Sequence, residues 1–249
     1  CPGSIKNLNN CVNDAIDMRA ALLSAPMWDT ANISLLTDTT GTAIDDIDED
    51  AIHNAVISIR NAMNPEDLLV FFYSSHGSGN SSAGSGSQYL VTNASTTDDW
   101  ISVDDLDSWL KNGFPDPNGG EGTGLANIIV LLDACYSGNF IGAANALLAM
   151  PDASPKFAPW PGKAGAEGAA EQTFAKSLNE TANICALTAA TGNEYSWDVP
   201  SLQNGAFTYY LTLALGYGHG GANKAIGLAP GNARRGRRGR DCSSSAALG

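Results

Sequence analysis

Two short strings in this sequence hold residues that do nucleophilic chemistry when they meet: Ser74-Ser75-His76-Gly77 and Asp133-Ala134-Cys135-Tyr136-Ser137-Gly138. A cysteine attacks a carbonyl carbon as thiolate. It therefore needs an imidazole to take its proton and N–H donors aimed at the oxyanion that develops. Cys135 and His76 supply the thiol and the imidazole, and the backbone N–H groups of Gly77 and Cys135 are the candidate donors. Glycine beside the histidine, and the Ser137-Gly138 turn after the cysteine, let a substrate backbone come close. The other histidines are poor rivals: His53 falls in an acidic amphipathic segment and His219 in a Gly-rich stretch, so both read as surface residues. A cysteine ending a buried strand is by itself more often packing than nucleophile. The case rests on thiol and imidazole both standing at strand ends.

Those strands are the apolar runs before the two strings, residues 68–73 (LLVFFY) and 127–132 (NIIVLL). Continuously apolar, β-prone runs are strands covered on both faces. In open α/β sheets the ligand site lies at the carboxyl ends of the strands, so neighbouring strands here would bring both strings to one crevice. Around them, apolar runs alternate with amphipathic segments, the pattern of βα units with a mostly parallel sheet between helices; the class is α/β. Residues 11–24 read as a first helix with Val12, Ala15, Ile16, Ala20 and Leu23 on one stripe. Residues 33–36 read as a short strand, 46–62 as a helix carrying Ile52, Val56 and Ile59, 184–189 as another buried strand, and 206–215 as a helix or strand plus helix. Gly, Ser and Pro mark loops at 77–87, 114–124 and 142–182. The tail RRGRRGR (234–240) holds five of the seven arginines and reads as disordered and without a role.

The 249 residues suffice for one domain with a substantial core. No apolar run approaches the roughly 20 residues that span a bilayer. A formal charge of -13 repels nucleic acid and acidic membranes and draws cationic peptides. The five cysteines (Cys1, Cys11, Cys135, Cys185, Cys242) lack CxxC pairs, against a disulfide framework or a zinc cage. No GxGxxG or P-loop string supports a nucleotide site. The chain opens on Cys1 without signal-peptide features, so the expectation is that its start lies upstream or was removed. The compartment is left open, with the cytoplasm favoured, and a monomer is expected.

The strings SSHG and DACYSG resemble the catalytic His and Cys motifs of metacaspases and related caspase-like peptidases, and their separation of about 60 residues is near the roughly 50 of caspases. LNNCVNDAIDM (8–18) is similar to the metacaspase segment LxGCxNDAxxM, and YSWDVPSLQNGAFT (195–208) is similar to the family's substrate-binding loop and the strand after it. The four motifs occur in the family's order and cover about residues 4–215. The resemblance implies a caspase-like three-layer sandwich, a mostly parallel central sheet flanked by helices. Its peptidase domain would span 1–233, with a large part to about 141, a linker at 142–182 and a small part at 183–218 before the basic tail at 234–249. The family's first strand precedes the segment matching CPGSIKNL (1–8), so that strand is expected to be missing and its two neighbours unpartnered.

The implied activity is a cysteine endopeptidase that cuts after Arg or Lys through a Cys-His dyad and an acyl-enzyme. By the same resemblance Asp14 and Asp133 line the pocket for the basic residue, while Ser196-Trp197-Asp198 stands where aspartate-specific caspases carry Ser-Trp-Arg, reversing the charge. Taken alone, Asp14 also reads as a helix-start acid and Asp133 as a strand-end residue. Cys11 reads as a packed side chain near the pocket, Cys185 as core. The chemistry requires no cofactor. Many metacaspases use Ca²⁺ as an activator, and Asp104-Asp105 match one part of that site. Asn93 stands where an Asp is expected, and a further carboxylate after the nucleophile has no counterpart. The linker carries Lys156, Lys163 and Lys176, and self-cleavage is expected there. The partners implied are peptides or proteins with basic residues. The alternative is a degraded caspase-like domain that serves interaction or regulation, against which the intact His and Cys speak.

Overall fold

The computed structural model describes residues 7–37, 47–64, 67–79, 88–92, 99–111, 127–135, 137, 153–156, 184–190 and 194–218. Its central sheet is parallel, with β5 (Asn127–Asp133) between β1 (Leu68–Ser74) and β7 (Ile184–Thr188). Alternate residues of β1 and β5, Leu69, Phe71 and Tyr73 beside Ile128, Val130 and Leu132, are buried on one face. They pack with Ile52 and Val56 of α2 (Glu49–Ala62) and Leu106, Trp109 and Leu110 of α3 (Val103–Lys111). Helix α2 starts where the Asp48 side chain accepts the Ala51 N–H at 2.7 Å, three residues inside the expected boundary. Arg60 in its last turn ties it to α3 by donating to the Trp109 carbonyl at 2.8 Å.

The pleat sends Ser74 and Asp133 to the opposite face, where α1 (Cys11–Leu23) and α4 (Ala206–Ala214) lie. Helix forms over both ranges as expected, and 206–214 is helix alone. The buried face of α1 differs from the expected stripe: Asp14, Met18 and Ala21 face inward, and Ile16 is exposed. The helix is turned to present an acid, which a hydrophobic count cannot anticipate.

Two further corrections concern strands. Residues 33–36 form no strand, and neither they nor the other edge of β1 has a ladder partner among the described residues. A four-residue strand is not held without a neighbour. Conversely the start of the expected 77–87 loop is a strand, β2 (Gly77–Gly79), antiparallel to β3 (Gln88–Leu90), which pairs with β4 (Ile101–Ser102). A third small sheet joins β6 (Ser154–Pro155), β8 (Trp197–Val199) and β9 (Asn204–Gly205). The expected loop 114–124, the basic tail 234–240 and His219 lie outside the described residues.

Candidate active site

The register of the sheet joins the two strings. Ser74 pairs with Asp133 across β1 and β5, so His76 and Cys135 each follow two residues beyond the ends of adjacent strands. Both are buried. The loops touch so closely that a Cβ on Gly77 would lie 1.9 Å from the Cys135 carbonyl oxygen; only glycine permits this approach. Burial pushes the Cys135 thiol well above its ordinary range, against the Ser196 carbonyl that accepts its S–H at 3.5 Å.

A segment of the chain's own linker occupies the crevice. Residues 153–156 run antiparallel to β8, with Ser154 opposite Asp198 and Pro155 opposite Trp197. The Lys156 N–H donates to the Ser196 carbonyl at 2.9 Å. The Lys156 carbonyl oxygen accepts from the Gly77 N–H at 2.9 Å and from the Cys135 N–H at 3.3 Å. Two amide donors converging on one carbonyl oxygen beside a thiol is the arrangement that stabilises an oxyanion during acyl transfer.

The Lys156 side chain is fully buried in a cage of acceptors. Its Nζ lies 2.8 Å from Asp14 Oδ2, 3.0 Å from Asp133 Oδ2 and 2.9 Å from Ser74 Oγ. Burial by itself works against the ammonium, and Asp133 and Asp14 outweigh it, holding Lys156 well above its usual value. Burial is also the first cause that raises the Asp14 carboxyl, opposed by Lys156. Each carboxylate is fixed from behind. Asp14 Oδ1 accepts from the Gly205 N–H at 2.7 Å and Asn204 Nδ2 at 3.1 Å, and Ser74 Oγ donates to Asp14 Oδ2 at 2.6 Å. Asp133 accepts from Ser196 Oγ on one oxygen, and from Thr208 N at 3.2 Å and Thr208 Oγ1 at 2.7 Å on the other.

Of the residues singled out in the sequence, Gly77, Asp14, Asp133, Cys135 and Ser196 thus meet around one lysine, and His76 precedes Gly77 just beyond the end of β1. Asp198 is buried nearby on β8, but its Oδ2 accepts the Asn9 N–H at 3.1 Å at the start of α1, while the ammonium's ion pairs run to Asp14 and Asp133. Cys11 flanks the cage, its thiol pushed up to about 12 by burial. Asp104 and Asp105 start α3. Asp105 accepts from the Ser102 N–H at 3.0 Å and from the Ser102 hydroxyl, and its own N–H donates to Ser102 Oγ at 3.1 Å, a reciprocal helix cap. Among the described residues no three His, Cys, Asp or Glu side chains are grouped to hold a metal ion, and Asn93 lies outside them. His53, expected at the surface, stacks on Trp109 with ring centroids 4.8 Å apart.

The sequence reading missed Ser74, Asn204, Gly205 and Thr208, and took Lys156 as one of three linker lysines. Ser74 had a signal: it stands two residues before His76 as Asp133 stands two before Cys135.

A search of curated proteins finds no match. A family model, the caspase domain of peptidase family C14, matches residues 2–226. That span takes in both strand-end strings, the NDA segment and the loop that receives Lys156. With thiol and imidazole at the ends of adjacent parallel strands inside the matched region, the chain belongs to the caspase-domain family of cysteine peptidases.

Proposed function

We propose that the chain is a cysteine endopeptidase that hydrolyses the bond after a basic residue, and that it cuts its own 142–182 segment after Lys156. The observation that carries this reading is the pose of Lys156, whose side chain meets two carboxylates while its carbonyl oxygen meets two amide donors beside Cys135.

In the reaction His76 takes the Cys135 proton, and the thiolate adds to the carbonyl carbon of the basic residue. Charge on the carbonyl oxygen is held by the Gly77 and Cys135 N–H groups. The tetrahedral adduct collapses as the imidazolium gives its proton to the leaving amine, and the acyl-enzyme forms. Water, deprotonated by His76, then attacks the thioester; the acid product leaves and the thiol is restored. The net charge of -13 adds a field that draws cationic substrates.

The test is hydrolysis of fluorogenic peptides ending in Lys, Arg, Asp or Asn by the wild-type chain and by Cys135→Ala. Cleavage of the basic peptides alone, abolished by the substitution, is expected. Activity that survives the substitution, or is confined to the Asp peptide, overturns the reading.

A further inference from the structure

We infer that the pocket selects lysine over arginine, with Ser74 as an acceptor that adds to the preference; the inference rests on the peptidase reading above and narrows its substrate class. An ammonium has three N–H bonds in tetrahedral array, and a guanidinium has five in one plane on a longer side chain. Here three oxygens surround the Lys156 ammonium: Asp14 at 2.8 Å and Ser74 at 2.9 Å accept its hydrogen bonds, and Asp133 forms an ion pair at 3.0 Å. The Ser74 hydroxyl uses its single hydrogen on Asp14 Oδ2, which leaves its lone pairs to the ammonium.

Three features keep arginine out. The carboxylates touch the lysine directly at zero exposure, so the pocket ends where the ammonium ends and leaves no depth for the two further nitrogens of arginine. The wall there is backbone: a Cβ built on Gly205 would stand 2.3 Å from Nζ and 2.2 Å from Asp133 Oδ2. The acceptors also cannot swing into a planar fork without losing bonds, because Asp14 is held by Asn204 and Gly205, and Asp133 by Ser196 and Thr208. Adding atoms to a close-fitting pocket costs about ten- to two-hundred-fold in kcat/KM.

The experiment has two arms. In the first, the full chain is assayed with two peptides that copy its residues 153–156, Ala-Ser-Pro-Lys and Ala-Ser-Pro-Arg, each on a coumarin amide. We expect kcat/KM to favour Lys by about tenfold or more, and the Lys:Arg ratio to fall in Ser74→Ala, which removes one of the ammonium's acceptors. A serine that only supports the fold would lower both rates and leave their ratio unchanged. Equal or better cleavage of the Arg peptide, or a ratio unmoved in Ser74→Ala, overturns the inference. The second arm needs no catalysis: thermal melting of Cys135→Ala with and without Lys156→Arg. A melting point lower by a few degrees with arginine is expected; an unchanged or higher one overturns the inference. If neither peptide is cut by the wild type while the melting shift appears, the peptidase reading fails and the lysine preference stands.

Discussion

Asp14→Asn tests how much of the site depends on one buried charge. The substitution preserves volume but cannot preserve bonding, because both oxygens of Asp14 face donors. Oδ1 accepts from Gly205 N–H and Asn204 Nδ2, and Oδ2 from the Ser74 hydroxyl and the Lys156 ammonium. Either rotamer of the amide sets an NH₂ against one of these pairs. Removing one partner of a buried ion pair costs about 3–5 kcal/mol, and at about 1.4 kcal/mol per factor of ten this is a loss of roughly 10²- to 10⁴-fold in kcat/KM for lysine peptides. Asp133 still faces the ammonium at 3.0 Å, so we expect the lower end, about a hundredfold. The assay is kcat/KM on the Ala-Ser-Pro-Lys substrate, with active sites counted by an irreversible thiol reagent and folding checked by melting. A loss of less than about tenfold, with active sites intact, would refute the argument that Asp14 holds the substrate's charge.

Burial raises the proton affinity of Asp14, and its charged form binds the ammonium, so protonation removes the attraction. The acidic limb of kcat/KM for lysine peptides should lie above the ordinary carboxylate value of 3.8 and move in Asp14→Asn; a limb at 3.8 that is unchanged in the variant contradicts this. In a His76→Ala background that keeps the chain uncut, Cys135 should react slowly with iodoacetamide, being buried with a raised pKa, and faster when Lys156→Ala loosens the covering segment. Equal labelling by mass spectrometry would show that the segment does not shield the thiol. Gly77→Ala drives a methyl to 1.9 Å from the Cys135 carbonyl, backbone against side chain with no room to yield. One amide donor is then misplaced, and kcat should fall by about 10²- to 10³-fold, measured against near-native circular dichroism.

The parallel strands were legible because runs as apolar as LLVFFY and NIIVLL admit few other environments, and their pairing sets His76 and Cys135 just beyond the ends of adjacent strands. The inward face of α1 was not, because its first buried residue, Asp14, is an acid paired with Lys156 while Ile16 is left exposed. Gly77–Gly79 looked like loop because glycine and serine carry no strand preference; its ladder comes from β3. Nothing local separates Lys156 from Lys163 and Lys176, since its role depends on β8 and a cage drawn from α1, β1, β5 and β9. Gly205 belongs to the same class: a missing side chain matters only once a charge fills its place.

The most direct test of the central claim is the intact mass and N-terminal sequence of the purified full chain after incubation, beside its Cys135→Ala counterpart. A cut after Lys156, with a new terminus at Phe157, is expected in the wild type alone. A wild-type chain never cut at that bond, or a Cys135→Ala chain cut there equally, would contradict it.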